Sequence, residues 1–410
     1  MPDIPLGSQV FDLVFHPDAG LVYTALLSGH VSAFSYDNQG AHHPVFSFKP
    51  AKGSCRGLTI SQDGAQLWAV GKGKGLHTID TATGKLTDTR AGAHDTAINR
   101  VKRIMPNLIA TGDDDGIIKL WDPRKQDCIR TYSQHYDFIS DFLWLEDKKQ
   151  LIATSGDGTL SVMDVRSKKT EPFAHSENQE DELLSIVTIK GGTKAVVGTQ
   201  LGVLSIFNRK KGWGDCVDRV LGHPHSIDAL CALPSYYYSS NNTILTGSSD
   251  GLLRAVQLLP TKMVGIVADH GDFPIERIAV DRAGEGRWVG SVGHDETLRL
   301  TDLREVFEDE DADGTVDADT GPSEEGPLPS DGEAQVSKES VEEFYVSKRE
   351  RHTDDENDNV EGQESEHSDS SRPKKKKRKE KDPMKASKKR KGKNEVDADP
   401  SFFSGLGLQS

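Results

Sequence analysis

Between residues 94 and 164 apolar and polar positions follow one another in a fixed order, and the order occurs twice. HDTAINRVKRIMPNLIATGDDDGIIKLWDPR, residues 94–124, opens on a His. Two apolar stretches follow, then an Asp-Gly turn, an alternating strand and a closing Trp-Asp. HYDFISDFLWL and LIATSGDGTLSVMD, between His135 and Asp164, repeat it. Alternation with period two marks half-buried strands, and Asp-Gly between two such runs marks a hairpin. Weaker copies fill the chain up to Arg304. The position after the alternating strand is held in turn by Tyr36, Asp80, Asp122, Asp164, Asn208, Gln257 and Asp302, at intervals of 44, 42, 42, 44, 49 and 45 residues. His94, His135, His175, His223 and His270 keep a similar period ahead of the first strand of each copy.

This unit resembles the WD repeat. Seven copies predict an all-β, seven-bladed WD-repeat β-propeller over residues 1–304, each blade a four-stranded antiparallel sheet. The resemblance implies a buried hydrogen-bonded tetrad in blade three, made of His94, Thr111, Asp115 and Trp121. Other blades keep parts of it: His223, Thr246 and Asp250 with Val256 in the Trp position, and His270, Ser291 and Asp295 with Thr301 there. Blade five has Leu201 for the Asp and Phe207 for the Trp. An unpaired buried polar group costs roughly 1–3 kcal/mol, but apolar replacement of whole pairs can be nearly neutral, so the fold tolerates this drift. Ring closure is also legible. TLRLTDLR ends at Arg304, and the EVFEDEDADG that follows is too charged for a half-buried strand. The last blade is therefore one strand short, and Ile4–Val10 is predicted to supply it, removing an exposed sheet edge.

Composition shifts at residue 305. Of the net charge of −15, residues 1–304 carry −4 and residues 305–410 carry −11. Residues 305–371 are expected to be a disordered acidic linker, because 24 acidic residues and few apolar ones up to residue 369 cannot offset the entropy of ordering. Within it, Val341, Phe344 and Tyr345 stand at helical spacing, which suits either a short helix formed on a partner or a passive spacer. Residues 372–393 reverse the sign, with 14 basic residues against Glu380 and Asp382. One cluster is Lys374, Lys375, Lys376, Lys377, Arg378 and Lys379. The second is Lys388, Lys389, Arg390 and Lys391. The pair resembles a two-part nuclear localisation signal, with a nuclear import receptor as the implied partner, and its density suits non-specific RNA contact. The acidic block beside it can instead mask it. In residues 394–410, Phe402, Phe403 and Leu406 form an apolar group in a polar segment, which is read as a docking peptide.

Enzymatic chemistry finds no support. Phosphate-loop, dinucleotide, zinc-protease and nucleophile-elbow motifs do not occur. GKGKG at 71–75 reads as a hairpin. His42-His43 and His223-Pro-His225 read as loop residues, since no third metal ligand is placed. Asp113 and Asp114 read as a solvated turn. Cys55, Cys128, Cys216 and Cys231 form no zinc pattern and no apolar run is long enough for a membrane span, so no cofactor, metal or membrane contact is expected. The first ten residues lack the order of a signal peptide, and a reducing compartment is expected. Two features stand out beyond structure. Asp122-Pro123-Arg124, Asp164-Val165-Arg166 and Asp302-Leu303-Arg304 resemble the Asp-x-Arg boxes of cullin-type ubiquitin ligase receptors, where Arg faces an adaptor. The same pair can simply cap a blade edge. SYYYSSNN, residues 235–242, is either a self-packed loop or a partner site.

Taken with DLVFHPDAGLVYTALLSGHVSAFSYD at 12–37 and SCRGLTIS at 54–61, this arrangement resembles the WD repeat-containing protein 55 family, its fungal members above all. The resemblance implies a non-enzymatic nucleolar scaffold that meets pre-ribosomal assembly factors. It would support ribosomal RNA processing and assembly of the ribosome, in particular of the large subunit. A ubiquitin ligase receptor is the competing reading.

Overall fold

The structure is a computed structural model that describes residues 2–237 and 239–307. The expectations for the acidic linker beyond Phe307, the two Lys-rich clusters and Phe402, Phe403 and Leu406 lie outside the described residues. The described chain forms seven four-stranded antiparallel sheets. The inner strands are Val10–Phe15, Cys55–Ile60, Ile98–Met105, Ile139–Leu145, Leu183–Ile189, Ile227–Ala232 and Ile275–Val280. Each is followed by three further strands, stepping outward, with the last completed by the chain's own start. Both faces of the middle strands are covered, which is why AVVGT and LIATS read as continuous apolar runs. Seven buried apolar clusters lie one to each interface between neighbouring blades.

Asp3–Pro5 closes the ring by pairing with Thr297–Asp302, Ile4 opposite Leu298. The closing strand is shorter than the predicted Ile4–Val10, because Val10 already begins the inner strand of blade one. Ile4 is buried against Leu298, Leu300 and Trp288. Chain order continues past Arg304 into a short helix, Leu303–Phe307. Leu303 is fully buried and Val306 and Phe307 pack on the core between blades six and seven, so the propeller extends at least to Phe307. Alternation could not show this, since only three apolar side chains in a charged stretch are involved.

Blade three shows how the repeats hold their loops. Trp121 Nε1 donates to Thr111 Oγ1 (2.8 Å), and Thr111 lies 2.7 Å from His94 Nε2. His94 Nδ1 lies 2.7 Å from Asp113 Oδ2, so the fourth member is Asp113 and not Asp115. The other Asp113 oxygen accepts the amides of Asp115 and Ile117. The reason is strand geometry. Residues two apart on a strand share a face, so Asp113 stands beside Thr111, whereas Asp115 is exposed on the turn. Asp113 is accordingly buried and not a solvated turn residue. Blades four and seven carry Ser155 and Gly293 at the Asp113 position. There the partner is the turn residue: His135 meets Asp157 at 3.0 Å, and His270 meets Asp295 at 2.8 Å. Blade six keeps only His223 on Thr246, because Asp250 pairs with Arg254. His175 lies exposed on an outermost strand and holds no tetrad. In blade one, Val22 pairs with Phe34 as Ile109 pairs with Trp121 in blade three, so Ser35 and not Tyr36 matches Asp122. The turn glycine is spatially required: at Gly116, φ is +77° and a Cβ would sit 2.8 Å from the Asp137 carbonyl oxygen.

Burial opposes ionisation of Asp113, but the hydrogen bond from His94 and the Ile117 amide outweigh it and hold its carboxyl below the usual range. Its contribution to stability is therefore present above the unfolded value near 3.8 and is lost as pH falls through the lower folded value. Asp113→Ala is expected to destabilise the ring by about 3 kcal/mol, since one ring N–H and two amides lose their acceptor. Asp115→Ala should stay within about 0.5 kcal/mol, as for surface changes generally. Trp121→Ala should cost about 3–5 kcal/mol. Urea unfolding of the three variants checks the order, and equal losses at Asp113 and Asp115 would contradict the reassignment.

Candidate functional site

Every inner strand carries a β-bulge at the same place. The pairing with the second strand slips between Val10 and Asp12, Cys55 and Gly57, Ile98 and Arg100, Ile139 and Asp141, Leu183 and Ser185, Ile227 and Ala229, and Ile275 and Arg277. A bulge leaves its extra residue out of the ladder and re-aims that residue's side chain. The seven skipped residues are Phe11, Arg56, Asn99, Ser140, Leu184, Asp228 and Glu276. Together they line a cavity of about 350 Å³ at the mouth of the central channel. This mouth opens on the face that carries the loops leading into each inner strand, here termed the upper face.

The mouth has two electrically distinct sides. On one, Arg56 bonds both Asn99 Oδ1 and Asp114, with 3.0 Å to the carboxylate. On the other, Glu276 meets His294 at 2.7 Å, and Asp228 accepts from the hydroxyls of Ser226 and Ser249. The hydrogen bond to Glu276 raises His294 above its ordinary value.

Below the mouth the channel is crossed by one side chain. Arg277 of blade seven lies 3.3 Å from Asp12 of blade one and 3.1 Å from Asp141 of blade four, on the far side of the ring. Both acids also tie neighbouring blades, Asp12 by accepting the Leu58 amide and Asp141 by accepting that of Ile186. Arg100 reaches the Ser140 carbonyl in the same way. Burial pushes the Asp12 carboxyl up despite Arg277 and Arg100 beside it. At Asp141 burial acts in the same sense, but Arg277, Arg100 and Lys102 outweigh it and hold the carboxyl down. Burial disfavours the charge on Arg277, and the two carboxylates more than restore it, raising its pKa.

The Asp-x-Arg boxes are closed on themselves. Arg124 forks onto Asp122 through Nε and Nη2 at 2.9 and 2.8 Å, and Arg166 forks onto Asp164 at 2.9 and 2.6 Å. Both Arg side chains stay about two-thirds exposed, at 66% and 64%. In the third box Asp302 pairs with Arg287 as well as with Arg304. Where described, the Tyr loop packs against the neighbouring turn of blade seven and Phe307 as well as on itself. Ser235 bonds Glu285, Tyr236 bonds the Gly286 carbonyl, and Tyr237 stacks between Tyr236 and Phe307. Residues 71–75 form the expected hairpin turn, with Lys74 closing onto the Gly71 carbonyl. His42 and His43 lie on a strand, His42–Phe48, and not in a loop. Among the described residues no three His, Cys, Asp or Glu side chains gather to hold a metal. No described helix is long and apolar enough to cross a membrane.

Sequence reading found the boxes and three members of the blade-three tetrad but missed the mouth and the crossing Arg. The exposed large apolar side chains are also unevenly placed. Leu27, Tyr136, Leu201, Leu221 and Phe273 all sit on upper-face loops, Tyr136 being 92% exposed. Phe173, Val217 and Tyr236 sit on loops of the opposite face, and the remainder lie on outermost strands.

A closed ring of WD-type blades, with a polar mouth flanked by exposed apolar loops, defines a protein-interaction propeller. The WDR55 family model matches residues 1–306. WD repeat-containing protein JIP5 of Laccaria bicolor is 57% identical, with 99% of this chain and all of that protein covered. WD repeat-containing protein 55 of Arabidopsis thaliana is 34% identical, over 75% of this chain and 84% of its own length. That of Rattus norvegicus is also 34% identical, over 74% and 77%. The chain belongs to the WDR55 family.

Arg277→Met is expected to destabilise the ring by about 3–5 kcal/mol, because two buried carboxylates lose their shared partner. Arg277→Lys should recover only part, since an ammonium cannot fork to opposite sides of a channel. Chemical unfolding measures both, and a neutral Arg277→Met would show that the channel does not need its crossing. The raised pKa of His294 gives a second expectation. Its pairing with Glu276 stabilises fully below the unfolded value near 6.5 and fades as pH rises through the higher folded value. The stability difference between wild type and Glu276→Gln should therefore shrink as pH rises above neutrality.

Proposed function

We propose that this protein is a non-catalytic scaffold that docks pre-ribosomal assembly factors in the nucleolus and supports ribosomal RNA processing. The observation that carries the docking role is the upper face. Its mouth presents seven side chains freed from the sheet ladder, and the exposed apolar loop residues lie on the same side. Aromatic and apolar side chains beside fixed polar groups suit a protein partner. The nuclear role rests on the basic clusters of residues 372–393 and on the family resemblance. Phe402 and Phe403 offer a second docking element, since burying one Phe contributes about 1.5–3 kcal/mol.

A ubiquitin ligase receptor role would rest on Arg124 and Arg166, which are exposed on successive blades. Each guanidinium is already forked onto its own Asp, so an adaptor would have to share or replace that pair. The scaffold reading is therefore preferred.

Affinity purification with quantitative mass spectrometry separates the two. Pre-ribosomal factors in the wild-type sample support the scaffold. A ligase adaptor in near-equal amount, lost on Arg124→Ala with Arg166→Ala, would replace that reading with the receptor. Deleting residues 372–393 should leave the thermal unfolding midpoint unchanged and move the protein from nucleus to cytoplasm. A deletion variant that still concentrates in the nucleolus would place the signal elsewhere.

A further inference from the structure

On the far side of the Arg277 crossing from the mouth, the channel widens into a chamber of about 260 Å³. Four cationic side chains line it, Arg100, Lys102, Arg103 and Arg277, against two carboxylates, Asp12 and Asp141. The carboxylates are already engaged by Arg277 and by the amides of Leu58 and Ile186. Among the described residues the other three cations pair with neither carboxylate. Arg100 gives its Nε to the Ser140 carbonyl and Arg103 gives its Nε to that of Ile60, which leaves their terminal nitrogens free among the described residues. Lys102 makes no hydrogen bond and no ion pair there. Arg103 also has Asp63 beside it, so Arg100, Lys102 and Arg277 against Asp12 and Asp141 leave the chamber a surplus of one positive charge. A half-buried cation without a direct partner leaves part of its desolvation cost unmatched, so the constellation can take up a further anion.

We propose that this chamber binds a small multivalent oxyanion of the phosphate class, held by the Lys102 ammonium and the free ends of Arg100 and Arg103. Guanidinium forks match the spacing of phosphate oxygens, and an ammonium adds a compact point charge. The two Arg side chains are held by their carbonyl partners, so their free ends are fixed before the anion arrives. Burial pushes the Lys102 ammonium below its ordinary pKa, with Asp141 and Asp12 pulling the other way. Both carboxylates are shared with Arg277, so Lys102 holds neither in a direct pair. The site neither requires nor excludes a protein on the upper face, since the crossing Arg277 stands between them.

The test uses the full chain and inorganic pyrophosphate, titrated calorimetrically at constant ionic strength. One equivalent should bind, and Lys102→Met should weaken that binding at least tenfold. A phosphoserine hexapeptide run beside it separates the sources. Tighter Lys102-dependent binding of pyrophosphate assigns a free anion, and tighter Lys102-dependent binding of the peptide assigns a phosphate carried by a partner. A second measurement needs no variant: pyrophosphate should slow acetylation of Lys102 in the wild-type protein, read at that residue by mass spectrometry. Binding unchanged by Lys102→Met together with unprotected Lys102 would place the anion elsewhere, for instance on the Lys-rich clusters, and overturn the proposal. Absence of binding by either ligand would overturn it as well.

Discussion

Everything in this ring depends on its closure. Each blade has an apolar face on both sides, and each needs a neighbour on both sides to bury them. Seven interface clusters satisfy seven blades only if the seventh meets the first. Three residues, Asp3, Ile4 and Pro5, make that join by completing the sheet of Thr297–Asp302. The join is small in hydrogen bonds but not in burial, because Ile4 plugs the cluster shared by blades seven and one. Asp3 adds an ion pair to Arg299 on the strand it borders. Tyr36 of blade one also reaches Asp281 of blade seven at 3.0 Å, so the seam is held by backbone, apolar contact and a polar bond together.

The closed ring explains where polarity is allowed. Interfaces between blades are apolar, while the channel, which every blade faces, collects charged and hydroxyl side chains. Most are tolerated because they meet a partner in a neighbouring blade or across the axis: Asp12 on Leu58, Asp141 on Ile186, Ser185 on the Ile227 carbonyl, Arg277 on two acids. A buried charge without such a partner would cost several kcal/mol. The outcome is a cross-linked wall behind a rim of chemically varied side chains, which suits an interaction scaffold.

Much of this was legible from the chain alone. The repeat period gave seven blades, and the charge of EVFEDEDADG showed that the last blade must borrow a strand. The tetrad in blade three was legible in three of its four members. Asp115 was chosen by its place in the Asp-Gly turn, and the strand pleat instead favours Asp113, which shares a face with Thr111. Tyr36 was one residue off for a similar reason, since alignment by spacing cannot see which pair of residues faces across two strands. The mouth was not legible at all. Strict alternation assigns Phe11, Arg56 and Asp228 to ordinary strand positions, and only the bulge takes them out of that alternation. The Arg277 crossing was hidden because its partners lie 136 and 265 residues away in sequence.

The sevenfold bulge also has an evolutionary meaning. A residue inside a sheet ladder is constrained twice, by its own pairing and by the packing of the face it occupies. A residue at the crest of a bulge is released from the first constraint and, when it points into a channel, from most of the second. Phe, Arg, Asn, Ser, Leu, Asp and Glu all occupy the same structural place in this ring. The architecture thus keeps one register of seven letters that can be rewritten without disturbing the text around it. Two propellers with the same blades can therefore present entirely different words to their partners.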